Sequence, residues 1–222
     1  MNEELFSALR LSLQVALLAT VCVTFLGGAI AYLLVRYQFP GQQWVDALVT
    51  IPLLLPPTVV GFYLLVLFGR YGAIGRPLYE ATGWTLVFTW QGAVLAATVM
   101  ALPLMVKTTK AALASVDPVY LQAAATLGQS QLEILWRVWL PLAGKGILAG
   151  VVLSFARALG EFGATLMIAG NIPGVTQTMP MALYEAVQTG NEPFALILVA
   201  ILTLISLITL LFTNYLEQRS LF

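Results

Sequence analysis

The sequence predicts an all-α, polytopic membrane protein with about five transmembrane helices, and three observations predict it. Of the 222 residues, 60% are hydrophobic and only 9% charged, with mean hydropathy +0.92; soluble domains carry about 25% charged residues. Crossing a bilayer takes roughly 20 predominantly apolar residues, and five stretches qualify: 11–35, 47–68, 86–106, 147–169 and 194–213. Only the fourth holds charged side chains, Arg157 and Glu161. Together the stretches make one transmembrane domain over 8–214.

The first stretch follows Glu3 and Glu4, where a secretory signal would be positively charged. Its apolar run is too long for a signal, and no clean small-residue cleavage site follows, so a retained helix is expected. Cys22 lies inside it and is the one cysteine, which leaves no intrachain disulfide; it reads as a small buried or lipid-facing hydrophobe. The second stretch contains Pro52 and then Pro56-Pro57, and the third Pro103. Proline removes a backbone donor and clashes with the preceding turn. In a membrane such breaks survive only where neighbouring protein or a cavity satisfies the freed carbonyls. These features describe a bundle that lines something. Small residues at 146–150 suit close helix packing.

Orientation follows the positive charges near the span ends. Lys107, Lys110, Arg137 and Lys145 lie between the third and fourth stretches, Arg36 between the first and second, and Arg219 after the last. The opposite side has Arg10, Arg70 and Arg76 together with Glu3, Glu4, Glu80, Glu185 and Glu192. The richer side is expected in the cytoplasm, which puts the N-terminus outside and the C-terminus inside.

The segment 115–141 is too structured for a linker. Asp117-Pro118 reads as an N-cap with proline at the first helical position. A short helix should run to Leu127, with Gly128 in the left-handed position that follows a helix end. Ser130 and Glu133 have capping-box spacing, so a second helix should start there and run to about Trp139. Leu132, Leu135, Trp136 and Trp139 then share one face, and Pro141 follows at the end. Two short helices thus meet at a glycine corner. Such a corner either packs beneath the bundle as a structural loop or presents a docking knob to a soluble partner.

In the fourth stretch Arg157 and Glu161 are four residues apart, hence on one helix face. A charge at mid-bilayer costs roughly 2.5–3.5 kcal/mol on insertion scales, so pairing or a wet cavity is expected. The pair either orients this span against its neighbours or stands beside a pathway. The stretch 176–189 is too short and polar to span; it reads as a partial helix on the outside or as an ordinary loop.

The corner resembles the cytoplasmic signature of ABC importer permeases: E-A-A, three residues, G, nine residues, I-x-L-P. Here Gln122-Ala123-Ala124 is followed by Gly128 and then by Val138-Trp139-Leu140-Pro141 at the same spacing. Gln122 stands where the family usually has Glu, and Val138 replaces Ile. The resemblance implies the type I ABC importer permease fold and a coupling-helix loop, with Gln122, Ala123, Ala124, Gly128, Leu140 and Pro141 as coupling positions. It covers about 11–213. Thr50 to Gly61, Ser154 to Thr165 and Ala169 to Pro180 resemble stretches of the molybdate permeases, whose pattern sulfate and tungstate permeases largely share. The resemblance therefore implies a permease for molybdate, with tungstate or sulfate as the alternatives. The implied partners are two copies of a separate ATPase subunit that holds the ATP, a second copy of this chain, and a periplasmic or lipid-anchored oxyanion-binding protein. No cofactor is expected on this chain. Arg157 and Glu161 would then lie near the pathway, organising a gate without selecting the substrate.

Composition narrows the alternatives. Ten Lys and Arg balance ten Asp and Glu, so no basic patch exists to neutralise a phosphate backbone and nucleic acid is not an expected partner; the lipid bilayer is. There is no His, which excludes His-ligated metal sites and Ser-His-Asp chemistry. Ala143-Gly144-Lys145-Gly146 lacks the spacing and the following hydroxyl of a phosphate loop, so the chain is not expected to hydrolyse ATP itself. A secondary transporter should show several titratable midplane residues and internal repeats, and an intramembrane enzyme a catalytic constellation; the sequence displays neither.

Overall fold

The computed structural model describes residues 2–218, all-helical apart from turns and loops. In chain order the helices are α1 (Asn2–Arg36), α2 (Gln42–Leu54), α3 (Pro57–Phe68), α4 (Gly75–Thr82), α5 (Trp90–Ala114), α6 (Pro118–Thr126), α7 (Gln131–Ile134), α8 (Leu140–Leu159), α9 (Gly163–Ala169), α10 (Met179–Gln188) and α11 (Glu192–Gln218). A π-helical turn, Leu135–Trp139, joins α7 to α8 without interruption. Among the described residues four helical runs are long and apolar enough to cross a membrane, and α2 with α3 reach the same length and hydropathy only as a pair bent at a break. Arg219, invoked for orientation, lies outside the described residues.

At the centre stands α5, packed against α1 and α8. Its inward positions Ala93, Ala96, Ala97 and Ala101 are fully buried, and α1 answers with Ala8, Val15, Ala16, Ala19 and Val23 at three- and four-residue spacing. Lipid gives apolar side chains no hydrophobic drive to leave it, so small residues and close van der Waals contact hold these helices together. Pro103 is fully buried within α5 and does not end it. Cys22 on α1 is exposed and free.

The second apolar stretch is two helices bent by 115°. Leu55 precedes Pro56, and Pro56 precedes Pro57; a residue before proline is pushed out of the helical region. Both are extended, with ψ 147° at Leu55 and 135° at Pro56. Two successive pre-proline residues therefore turn the chain, whereas the single Pro52 is absorbed inside α2.

The fourth span differs more from expectation. The stretch 147–169 is not one helix: α8 ends at Leu159, residues 160–162 break the run, and the seven-residue α9 is too short to cross. The crossing instead begins earlier, as one helical run over Gln131–Leu159. Consequently α9 turns aside and packs along α3. Gly61 makes the approach possible, because a Cβ there would come within 2.7 Å of the Ala164 Cα.

Candidate functional site

The corner of 115–141 forms much as its local chemistry dictates. The Asp117 carboxylate accepts the Val119 N–H at 2.9 Å and Pro118 opens α6. At the other end Gly128 has φ +80°. Its N–H donates to the Ala125 carbonyl at 3.0 Å and that of Gln129 to Ala124 at 3.3 Å, the paired bonds of a Schellman ending. The Ser130 N–H donates to Glu133 Oε2 at 2.8 Å and the Glu133 N–H returns to Ser130 Oγ at 3.4 Å, completing the capping box.

Of the coupling positions, Gln122, Ala123, Gly128 and Pro141 are exposed, Leu140 is half-buried, and Ala124 is buried. Nothing stands within 4 Å of a Cβ built on Gly128, so its requirement is conformational and the space outside it is open. Leu127 beside it is 81% exposed. The corner thus shows solvent an apolar tip on a rigid, capped frame. Gln122 lines a cavity of about 170 Å³ with Arg36 and Gln131, and the Arg36 guanidinium donates to Gln131 Oε1 at 2.5 Å. That contact ties the end of α1 to the start of α7.

Two expectations about the second corner helix are corrected. It does not stop at Pro141 but runs on into α8, because the π turn takes up the proline. The Leu140 N–H bonds the Leu135 carbonyl, five residues back, immediately before the residue that has no N–H to give. Of Leu132, Leu135, Trp136 and Trp139, expected on one packed face, only Trp139 and the half-buried Leu135 pack. Leu132 and Trp136 are 69% and 68% exposed, while Ile134 and Trp139 are buried. Their five-residue separation is the step of the widened turn.

Arg157 and Glu161 are paired, with Arg157 Nη1 2.6 Å from Glu161 Oε2. They do not share a helix, however: Arg157 is in the last turn of α8 and Glu161 stands beyond it, in the break. The other carboxylate oxygen, Oε1, accepts the Ala164 N–H in the first turn of α9 at 2.8 Å. The Glu161 side chain is 2% exposed and that of Arg157 28%. Glu161 therefore joins a cation on one half-helix to an unsatisfied donor on the next, which holds the bend.

At the end of the bundle away from the corner, 170–178 is a stitched loop followed by α10. Glu185 on α10 accepts from Asn171 Nδ2 at 2.7 Å and Gln177 Nε2 at 2.6 Å. The Met179 N–H donates to the buried Ser12 hydroxyl of α1 at 2.7 Å. The partial helix expected in 176–189 is thus present, and Met179, Met181, Ala182 and Ala186 seat it in the bundle. Side chains 171, 177 and 185 drew no notice in the sequence as a group; no periodicity joins a loop amide to a helix carboxylate.

Residues 23–221 match the family described as binding-protein-dependent transport system inner membrane component. The chain belongs to this family. Among its relatives, the molybdenum transport system permease protein ModB of Escherichia coli is 46% identical over 221 residues, covering 99% of this chain and 96% of that one. ModB of Haemophilus influenzae is 43% identical over 214 residues, covering 96% and 93%. The sulfate transport system permease protein CysW of Synechococcus elongatus is 34% identical over 219 residues, covering 99% and 76%. Solved ABC transporter structures share the fold. One involved in the import of the acidic polysaccharide alginate superposes with TM-score 0.77 at 14% identity, covering 99% of this chain and 80% of its own. An amino acid ABC transporter gives 0.65 at 19%, covering 99% and 94%. As a binding-protein-dependent transport component, this chain is a multi-pass inner-membrane protein.

Proposed function

We propose that the chain is the permease subunit of a molybdate importer. It forms the translocation pathway as a pair of copies, driven by two copies of a separate ATPase subunit that binds and hydrolyses ATP. The observation that carries this reading is the 115–141 corner: a capped helix–glycine–helix with an exposed apolar tip, on a chain 46% identical to a molybdenum permease. Ala123 and Gly128 present little side chain there, which lets a partner's cleft approach the backbone closely. The corner then faces the cytoplasm, with the N-terminus outside and the C-terminus inside. The same end carries Arg36 and Lys110, in keeping with the positive-inside bias.

On the opposite side the 170–178 loop, clamped by Glu185, offers a firm platform to an oxyanion-binding protein. Arg157 and Glu161 hold the α8–α9 bend against α3 and organise the gate; their mutual neutralisation leaves substrate choice elsewhere.

The test is ATP hydrolysis by the complex co-purified with this chain, reconstituted with its binding protein. Stimulation by molybdate- or tungstate-loaded binding protein, and none by sulfate, is expected. A sulfate response alone favours the sulfate reading, to which the 34% identity with a sulfate permease gives its weight. Absence of any co-purifying ATPase removes the docking assignment.

A further inference from the structure

Trp139 is buried under the corner, and its indole Nε1–H donates to the Leu113 carbonyl at 2.9 Å. Leu113 lies in the last turn of α5, which ends at Ala114. Carbonyls in a helix's final turn have no intrahelical i+4 donor; the backbone offers Leu113 the Val116 N–H at 3.4 Å and a share of the Ser115 N–H, which also bonds Ala111. The indole completes that site from 26 residues further along the sequence. The ring also meets Tyr32 of α1 edge-on, with centroids 5.7 Å apart.

The π turn puts Trp139 there. The buried stripe of α8 includes Ala143, Ser154 and Ala158, and stepping back four residues from Ala143 reaches Trp139. Stepping back four more in a regular α-helix would reach Leu135, leaving Ile134 rotated off the stripe by about 100°. The π turn adds one residue to that step, so Ile134 of the corner and Trp139 of the span face the same way, and both are buried. Corner and crossing are thereby in one register, and the indole pins that register to the end of α5. Single π turns recur at functional sites.

We propose that Trp139 is a positioning residue for coupling. It makes the corner, the end of α5 and α1 move as one body, so that displacement of the corner reaches the crossing helices. This rests on the corner being the ATPase contact. Without the indole bond the corner can tilt on α7 while α5 stays in place, and hydrolysis runs without transport.

The test is the amount of molybdate imported per ATP hydrolysed by the reconstituted complex, normalised to the complex present. Trp139→Phe keeps the ring against Tyr32 and deletes the donor. The ratio is expected to fall about fivefold, the factor that one typical hydrogen bond produces. A role confined to folding lowers the yield of complex and leaves the ratio unchanged, and that result overturns the proposal. Trp139→His restores a ring N–H and should recover most of the ratio. If Trp139→Phe yields no complex, Trp139→Met, apolar and without a donor, decides: a reduced ratio supports the tie, and a wild-type ratio overturns it. A wild-type complex without ATPase would instead defeat the docking assignment, which separates the two failures.

Discussion

Arg157 and Glu161 form an ion pair of 2.6 Å across the end of α8, and the same carboxylate caps α9. The two partners are not equivalent. Glu161 is buried, so Arg157→Gln leaves a carboxylate with one backbone N–H and no cation. Glu161→Gln keeps an oxygen able to accept from Ala164. Breaking a fully buried pair costs about 3–5 kcal/mol; with Arg157 28% exposed, solvent screening reduces this to about 2 kcal/mol. Thermal unfolding of the purified complex should show Arg157→Gln as the more damaging single change. The double variant should recover part of the loss, and additive losses would refute the coupling. Preference among molybdate, tungstate and sulfate should stay unchanged in Arg157→Gln.

Gly128 offers a clean separation of docking from folding. Its φ of +80° is a conformation that Asp and Asn tolerate better than other side chains. No atom within 4 Å opposes a Cβ. Gly128→Asp should therefore insert normally and keep its thermal stability within about 1–2 kcal/mol, while coupled uptake is lost because the new side chain blocks the partner. Normal uptake in that variant would sink the docking assignment.

Gly61 and Gly28 make a matched pair. A Cβ on Gly61 meets the Ala164 carbonyl oxygen at 2.8 Å as well as its Cα, and backbone cannot give way as a side-chain tip can. Gly61→Ala should push α9 from α3 at a cost of about 1–3 kcal/mol and lower uptake. Gly28→Ala, with nothing within 4 Å, should be neutral or stabilising by up to about 1 kcal/mol. The thermal midpoints of the two complexes check this directly.

Lys110 and Asp46 lie 3.2 Å apart and tie α2 to α5. No residue of α2 is buried; besides this pair, Gln42 Nε2 donates to the Leu34 carbonyl at 2.5 Å. With so few anchors, Lys110→Gln should raise amide exchange in α2 selectively. Global stability should fall by under about 1 kcal/mol, since both side chains are about a third exposed. Val49 of α2 also packs against Ala31, Leu34 and Val106, and equal protection of α2 in both proteins would show that this packing suffices.

Restoring the family's acid by Gln122→Glu places a carboxylate in the cavity that Arg36 lines. The gain is expected to be within about 0–1 kcal/mol and to fade with salt, because the pair is exposed. A midpoint that rises at low ionic strength and returns to wild type in high salt is the expected signature.

What the sequence determined by itself was everything that depends on composition or on neighbours within one turn. The Asp117–Pro118 cap, the Gly128 ending and the Ser130–Glu133 box form as read, and the first, third and fifth apolar stretches each supply one long helix. Their energetics are local, spanning at most five residues. Proline likewise announced the bend at 55–57, because pre-proline strain acts on the adjacent residue. Tertiary structure decided the rest. The sequence 147–169 is apolar enough to be one span, yet it breaks because Glu161 caps α9 while α9 finds a groove on α3 opened by Gly61. Hydropathy registers how greasy a segment is and not which neighbour receives it. Trp139 and Ile134 share a face only because a π turn intervenes. An α-helical reading of the same residues keeps Trp139 but sets Leu132, Leu135 and Trp136 beside it and omits Ile134. What fixes that turn is a carbonyl 26 residues away and a proline two residues on, and only the packed bundle brings the first of these into reach.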